Sequence, residues 1–351
     1  MKRFTSWRLF LLSALVTFLL SGCGEPYVSA LKPAGEVAQK QYELILLSTA
    51  IMILVILVVT VLFVIVLIRF RRKDDRIPEQ VEGNTKLEII WTVIPIILLL
   101  ILAIPTVKGT FALADMSGTD KEGAVVVNVR ASLYWWEFEY PNEGIVTSQE
   151  LVLPTDERIY FHVTASDVKH SFWIPALGGK LDTNPDNVNS FWLEIDSEAA
   201  EEAGNLFYGK CAELCGPSHA LMDFKVRAVS REEYERWVEG MKAVTEPKEP
   251  ETALAKKGQE VFNEKGCISC HAVTAANTAP AEARIGPNLT DFGERAFVAG
   301  ILENNREEIK RWLRNPEKVK PANKMTGTYE PLTEEELEAL AEYLMSLKVT
   351  E

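Results

Sequence analysis

Basic charge, internal repeats and spare cysteines are what this sequence of 351 residues has least of. Aspartate and glutamate number 50 against 37 lysines and arginines, a formal net charge of −13. A nucleic-acid-binding protein carries the opposite balance, so that class is set aside, and a partner with a basic face is favoured. No segment recurs at a fixed period, which argues against solenoids and propellers. Histidine occurs only at His162, His170, His219 and His271, and cysteine only at Cys23, Cys211, Cys215, Cys267 and Cys270. A single Cys-x2-Cys pair is present, so a zinc site made of two such pairs is excluded. Charge is missing altogether from residues 44–68 and 89–107. Crossing a bilayer takes about 20 apolar residues, and both stretches are therefore expected as transmembrane helices. Pro95 and Pro105 lie in the second, where neighbouring helices tolerate them.

Against this background one stretch is dense with metal-binding side chains: Cys211-Ala-Glu-Leu-Cys215-Gly-Pro-Ser-His219-Ala-Leu-Met222. Thiolate and thioether are soft ligands, and imidazole suits copper, zinc and iron. The Gly-Pro pair breaks helix and strand alike and favours a tight loop. His170, far upstream, is the candidate for a further ligand. A Cys211–Cys215 disulfide would leave His219 and Met222 without a role, and zinc has little use for a thioether. A single blue copper takes one Cys; two cysteines leave room for a second copper ion.

Cys-x3-Cys-x3-His-x2-Met after an upstream His resembles the dinuclear copper (Cu-A) loop of cytochrome oxidase subunit II. The resemblance implies that Cys211 and Cys215 bridge two coppers. His170 and His219 are then terminal ligands, Met222 a weak one, and the Glu213 carbonyl another. It also implies that the Glu213 carboxylate reaches a magnesium or manganese ion at the interface with subunit I. Such a site moves electrons and offers no open position to a substrate.

The length suggests two or three domains. Residues 1–22 have a basic start and an apolar run, the shape of a secretory signal, and end in Leu20-Ser21-Gly22-Cys23. Small residues before a cysteine resemble the bacterial lipoprotein processing site, which implies a lipid on Cys23 and an extracytoplasmic segment 23–40. Transmembrane helices are expected at 41–70 and 88–110. The loop between them, 71–87, with Arg69, Arg71, Arg72, Lys73 and Arg76 in and beside it, is basic, and basic loops stay cytoplasmic. Everything after Lys108 is then extracytoplasmic. Glu88 stands at the cytoplasmic mouth of the second span; in subunit II an acid at this position opens a proton path into subunit I.

Residues 111–230 change character. The runs 125–129, 158–163, 190–195 and 224–229 read as short strands, as in a β-sandwich or barrel. With the resemblance, this is a cupredoxin Greek-key barrel. His162 falls opposite Ile159, Phe161 and Val163 by alternation and reads as a surface residue. The run Leu133-Tyr134-Trp135-Trp136-Glu137-Phe138-Glu139-Tyr140 suits strand pairing. It also resembles the aromatic segment of subunit II in which an exposed Trp receives electrons from cytochrome c. Tyr134 occupies that Trp position; Trp135 and Trp136 are further candidates for electron entry, with Trp136 the one expected to pack near the copper. Glu139 and Asp182 match family positions used in docking.

Residues 231–251 are charged, helical at first and then a Pro-containing linker. A third unit, 252–351, opens with helical spacing over 256–265 and continues into Cys267-Ile268-Ser269-Cys270-His271. Cys-x2-Cys-His is the c-type haem attachment signature. Both cysteines form thioethers, and His271 turns back onto the iron. Met/His ligation suits electron transfer. Met325, in a loop, is the expected sixth ligand, while Met345, on an amphipathic helix, reads as core. Ile285-Gly286-Pro287-Asn288-Leu289 resembles the haem-edge loop of class I cytochromes c, as does the unit as a whole.

The expected architecture is multidomain: a two-helix transmembrane hairpin, an all-β cupredoxin Cu-A domain and an all-α cytochrome c domain. Together these resemble subunit II of the bacterial, haem-c-containing aa-type cytochrome c oxidase. The resemblance implies an electron path from a donor such as cytochrome c through haem c and Cu-A to subunit I, where oxygen is reduced to water with proton pumping. No residues remain for a haem-copper centre, so no catalytic residue of the oxygen chemistry lies in this chain. The fused donor is expected to approach by a face other than that of Tyr134. Two alternatives stand beside this reading: the Cu-A subunit of a nitric oxide reductase, and a stand-alone membrane-tethered electron shuttle or copper-binding protein.

Overall fold

The computed structural model describes residues 7, 10–15, 24–72, 77, 82–276 and 279–350. Cys23 lies outside them, as do Lys73 and Arg76 of the basic loop. The described residues form two units, 39–115 and the remainder.

The smaller unit holds two helices, α1 (Glu36–Arg69, whose first turn belongs to the larger unit) and α2 (Thr85–Leu113). At 1.5 Å per residue α1 is about 50 Å long, more than the roughly 30 Å of a bilayer's hydrocarbon. Both are long and apolar enough to cross a membrane, and their apolar side chains are exposed around the helix. Asn84 caps α2 by accepting the Lys86 and Leu87 N–H groups. Glu88 is exposed in the first turn of α2, where a carboxylate also complements the helix dipole.

The larger unit begins with a sandwich of two five-stranded sheets. Its strands are β1 (Val125–Ser132), β2 (Trp135–Tyr140), β3 (Ile145–Ser148), β4 (Glu150–Pro154), β5 (Arg158–Ala165), β6 (His170–Trp173), β7 (Leu181–Thr183), β8 (Asn189–Glu194), β9 (Leu206–Cys211) and β10 (Asp223–Val229). One sheet runs β3-β2-β1-β5-β8 and the other β4-β10-β9-β6-β7. All pairs are antiparallel except β1–β5 and β10–β4, which are parallel. All four runs expected as strands are strands. Phe161 on the first sheet meets Phe172 on the second with ring centroids 5.6 Å apart, and Phe172 stacks on Phe224 at 4.8 Å. Burying each of these rings contributes about 1.5–3 kcal/mol. His162 points away from this core, half-exposed, with Nδ1 2.7 Å from the Ser190 hydroxyl. A short helix, α3 (Ser197–Glu202), connects β8 to β9.

The first part of segment 231–251 is a helix, α4 (Arg231–Ala243), opened by a capping box between Ser230 and Glu233. It packs Trp237 against Tyr140 of β2 at 5.3 Å, so it is part of the sandwich's own core. Only the residues after Ala243 run without helix or strand until α5.

The helical domain consists of α5 (Ala253–Glu264), α6 (Arg306–Arg314), α7 (Pro316–Val319) and α8 (Glu334–Ser346), with a two-stranded ribbon of β11 (Phe297–Val298) and β12 (Leu302–Glu303). Thr252 and Thr333 cap α5 and α8. Val261, Phe262, Ile309, Leu337, Leu340 and Leu344 form the heart of its core, with Met345 packed on it.

The helical domain sits directly on the sandwich. The edge strand β3 donates the Val146 N–H to Ala275 O, the Ser148 hydroxyl accepts the Asn288 N–H, and Glu150 accepts the Ala296 N–H. Glu137, 2% exposed, is held by Arg130 at 3.0 Å and by Arg284 of the helical domain at 3.2 Å. Removing one partner of such a buried pair costs about 3–5 kcal/mol. Two lysines are buried in the same seam. Lys225 of β10 donates to Gly300 O and lies 3.9 Å from the Tyr208 ring. Lys320 donates to Tyr134 O and Ala299 O.

Burial lowers Lys225 to about 8, with Asp223 opposing. It lowers Lys320 to about 7, again against Asp223 and helped by Lys225. Between those values and the ordinary 10.5, the unfolded chain holds protons that the folded chain has released. Stability therefore rises with pH across that window. Thermal unfolding of the full chain in detergent is expected to show this rise between about pH 7 and 10, and Lys320→Met is expected to flatten it. An unchanged slope in the variant would contradict the assignment.

Candidate metal centres

Sheet order assembles the first centre. Strands β6 and β9 are neighbours, with Phe172 opposite Cys211, and β9 pairs with β10. His170 thus opens one strand, Cys211 ends the next, and Met222 immediately precedes the third. The connection from Cys211 to Met222 closes over the end of the sheet. The Cys211 and Cys215 sulfurs are 3.9 Å apart and unbonded. His170 Nδ1 lies 3.9 Å from the Cys211 sulfur, His219 Nδ1 3.7 Å from that of Cys215, and the Met222 sulfur 3.9 Å from Cys215. The Glu213 carbonyl is 3.3 Å from the Cys211 sulfur. One donor atom each from His170, Cys211 and Cys215 falls within 4.8 Å of the others. Metal–sulfur bonds of about 2.3 Å at a tetrahedral angle require donors about 3.8 Å apart, which is the spacing observed. The residues fit a thiolate-bridged metal site, and softness of the donor set favours copper.

The electrostatics favour ionised sulfur. The neighbouring Cys215 thiol, together with His170 and backbone groups, holds Cys211 well below the ordinary thiol range against the opposing effect of burial. The Cys211 thiolate in turn pushes Cys215 up, so one of the pair ionises readily and the second only when a cation is present to share. Asp167 stands behind His170, with Oδ1 2.9 Å from its Nε2. Burial raises the Asp167 carboxyl, but hydrogen bonds from His170, Lys324 and the Leu133 and Val168 N–H groups outweigh it and hold it well below the usual range. A group of this kind fixes which ring nitrogen faces a metal. Trp136 is fully buried; its indole N–H donates to Met222 O and its ring lies 6.3 Å from that of His170. It packs beside the site, as expected. Gly216 has φ +138°, and a Cβ there would meet the Tyr134 hydroxyl at 2.4 Å, so the loop can turn only with glycine.

The second centre is a cavity of about 410 Å³ in the larger unit, lined among others by Cys267, Cys270, His271, Met325, Leu340 and Leu344. That volume is typical of a cofactor site. His271 Nδ1 is 2.8 Å from Pro287 O, which leaves Nε2 for a metal. Burial pushes His271 below its ordinary value, so the ligating neutral form prevails. A Cβ on Gly286 would come within 3.1 Å of the His271 ring, so the loop 285–289 packs flat on the histidine. One cavity holds both attachment cysteines, the imidazole and a thioether, and the residues fit a haem.

The aromatic run differs from expectation. Tyr134 is 4% exposed and Trp135 7%, where an exposed aromatic was implied. Leu133, Tyr134 and Trp135 line the same cavity as Cys267 and Cys270. The helical domain therefore covers this very face rather than approaching by another. Glu139, a docking position by resemblance, lies 3.6 Å from Arg284 of the helical domain. Asp182 pairs with Lys169 at 3.4 Å, both partly exposed. The Glu213 side chain is half-exposed beside Leu214. Asp167, Ser218, Lys320 and Lys324 were not singled out from sequence. Asp-x2-His ahead of a strand is a signal that points to Asp167; the lysines carry none.

Comparison with known proteins agrees with this division. Residues 31–108 match the family described as cytochrome c oxidase subunit II, transmembrane domain, residues 142–229 its periplasmic domain, and residues 255–348 cytochrome c. A cytochrome c oxidase subunit 2 from Bacillus sp. (strain PS3) is 60% identical over 99% of this chain and 99% of its own. The subunit 2 of Bacillus subtilis (strain 168) is 59% identical over 97% and 98%. Among solved structures, the periplasmic domain of subunit II of cytochrome oxidase from Bradyrhizobium japonicum is 29% identical, covering 34% of this chain and 94% of that one, with a TM-score of 0.30. Two apolar helices, a cupredoxin-like sandwich with a soft donor set, and a helical domain with a Cys-x2-Cys-His cavity occur here in one chain with full-length relatives, and the chain belongs to the cytochrome c oxidase subunit II family, in the form that carries a C-terminal cytochrome c domain.

Proposed function

We propose that this chain is the non-catalytic, electron-entry subunit of a respiratory cytochrome c oxidase, passing electrons from an external donor by way of a covalent haem c and a dinuclear Cu-A centre to subunit I, where oxygen is reduced to water with proton pumping. When bound, haem and copper each supply reversible one-electron chemistry at a closed site. Cys267 and Cys270 would hold the haem through thioether bonds, and His271 and Met325 would supply its iron ligands. Pro287 O keeps the His271 ring in the ligating tautomer. Cys211, Cys215, His170, His219, Met222 and the Glu213 carbonyl would hold the copper ions. Asp167 orients His170, and Trp136 with Phe172 and Phe224 keeps water from the sheet side.

Helices α1 and α2 cross the bacterial cell membrane with Arg69, Arg71 and Arg72 on the cytoplasmic side, so both metal domains are extracytoplasmic. Cys23 carries a lipid anchor, which adds about 0.8 kcal/mol of membrane affinity per buried CH₂. The Glu213 carboxylate meets a magnesium ion at the subunit I interface, and Glu88 opens a proton path. Tyr134, Trp135 and Trp136 form the electron-entry face, served here by the chain's own cytochrome domain.

The observation that carries this reading is that one compact unit holds both the copper donor set and the Cys267–Cys270–His271–Met325 cavity, the latter lined also by Tyr134. Metal analysis and an absorption spectrum of the purified complex test it. Two coppers and one haem c per chain, with oxygen uptake, are expected. A solitary chain, or nitric oxide uptake in place of oxygen, would sink the oxidase assignment.

A further inference from the structure

The two metal sites are joined by polar contacts that neither donor set requires. His170 turns Nδ1 toward the Cys211 sulfur and Nε2 toward Asp167 Oδ1. The other carboxylate oxygen, Asp167 Oδ2, accepts from Lys324 Nζ at 2.8 Å and from the Leu133 N–H at 2.9 Å. Lys324 belongs to the helical domain and directly precedes Met325, which lines the haem cavity. Two further bonds pin the same segment. The Ser218 hydroxyl of the copper loop donates to Pro321 O at 2.6 Å, and Lys320 donates to Tyr134 O at 3.1 Å.

Ser218 and Lys320 are buried and serve the packing of the seam. Lys324 is different: its side chain is 51% exposed while that of Asp167 is 16% exposed. An ion pair with one exposed lysine contributes little to stability, about 0–1 kcal/mol. Its consequence lies in its place. An imidazole whose N–H faces a bare carboxylate becomes a stronger donor to a metal on its other nitrogen. An ammonium on the far oxygen draws charge away from that carboxylate and weakens the effect.

We propose that Lys324 is a positioning residue for electron transfer: docking of the Met325 loop places its ammonium on Asp167, which relaxes the hold of Asp167 on His170 and raises the electron affinity of the copper site. The inference rests on the reading of the two sites proposed above. The copper site is thereby tuned as an acceptor only while its donor domain is seated, and a detached or mis-seated cytochrome domain leaves it a poorer one.

The test is a reductive titration of the purified complex, with the haem and copper bands followed separately, in a graded series at this exposed position. Lys324→Gln is expected to shift the electron distribution between copper and haem about fivefold toward haem. That corresponds to about 40 mV at 59 mV per tenfold for one electron. Lys324→Glu is expected to shift it further the same way, and Lys324→Arg to stay within about twofold of the parent. Asp167→Asn is expected to shift it in the opposite direction. Lys318→Gln, exposed on α7, serves as the control for loss of one positive charge. A residue that merely braced the seam would not give opposite signs at Lys324 and Asp167. Intact bands with no graded shift, or an equal shift in the Lys318 variant, overturn the inference alone. A parent complex lacking the copper or the haem band overturns the underlying reading of the sites instead.

Discussion

Replacing Cys267 and Cys270 together by serine is expected to abolish covalent haem and with it the packed structure of residues 252–351. The reason is volumetric. Filling the cavity of about 410 Å³ is part of the core of this domain, because Phe262, Leu340 and Leu344 face both the cavity and the helix cluster. Without its occupant these side chains face an unfilled cavity, and each loses about 1.5–3 kcal/mol of burial. Whole domains are stable by about 5–15 kcal/mol. The haem-free variant is therefore expected to lose helical circular dichroism and to be cut by protease in the helical domain, while copper binding by the sandwich survives. A haem-free chain with parental helix content and protease resistance would contradict the view that the cofactor completes this core.

The second large effect is expected at Cys215. Its sulfur lies within 3.9 Å of the Cys211 sulfur, His219 Nδ1 and the Met222 sulfur, so three of the other donors are its immediate neighbours. Serine offers a harder oxygen that stays protonated at neutral pH, and soft copper prefers thiolate. Changes one contact further from a metal already cost 10–100-fold in affinity or activity. Cys215→Ser is expected to lower copper content and oxygen uptake by more than about 100-fold. The fold is expected to stand, because Ser218 on Pro321 O and Trp136 on Met222 O brace the loop without the thiol. Haem content, measured on the same sample, should be unchanged. Parental copper with parental turnover would remove Cys215 from the site.

What was readable in the sequence was what is local in the chain. Cys211, Cys215, His219 and Met222 fall within one loop, and Cys267, Cys270 and His271 within one turn, so their spacing alone brings them together. The uncharged runs 44–68 and 89–107 announce helices α1 and α2 because hydrocarbon tolerates little else. The strands of the sandwich follow from short β-branched and aromatic runs. Met325, singled out because it lies in a loop, lines the same cavity as Cys267, Cys270 and His271.

What only the tertiary structure decided is how the second and third domains meet. Nothing in the run 133–140 says that Tyr134 is covered: its carbonyl is met by Lys320, nearly two hundred positions away, and its hydroxyl lies against the loop at Gly216. Lys225, Lys320 and Lys324 read as ordinary surface charges; two are buried because backbone carbonyls and aromatic rings from the opposite domain await them. Arg284 finds Glu137 and Glu139 by the same route. Ligand identity is local chemistry and survives as a motif. The seam between the two domains is built from single hydrogen bonds and ion pairs between distant segments, and such pairings leave no period and no spacing to read.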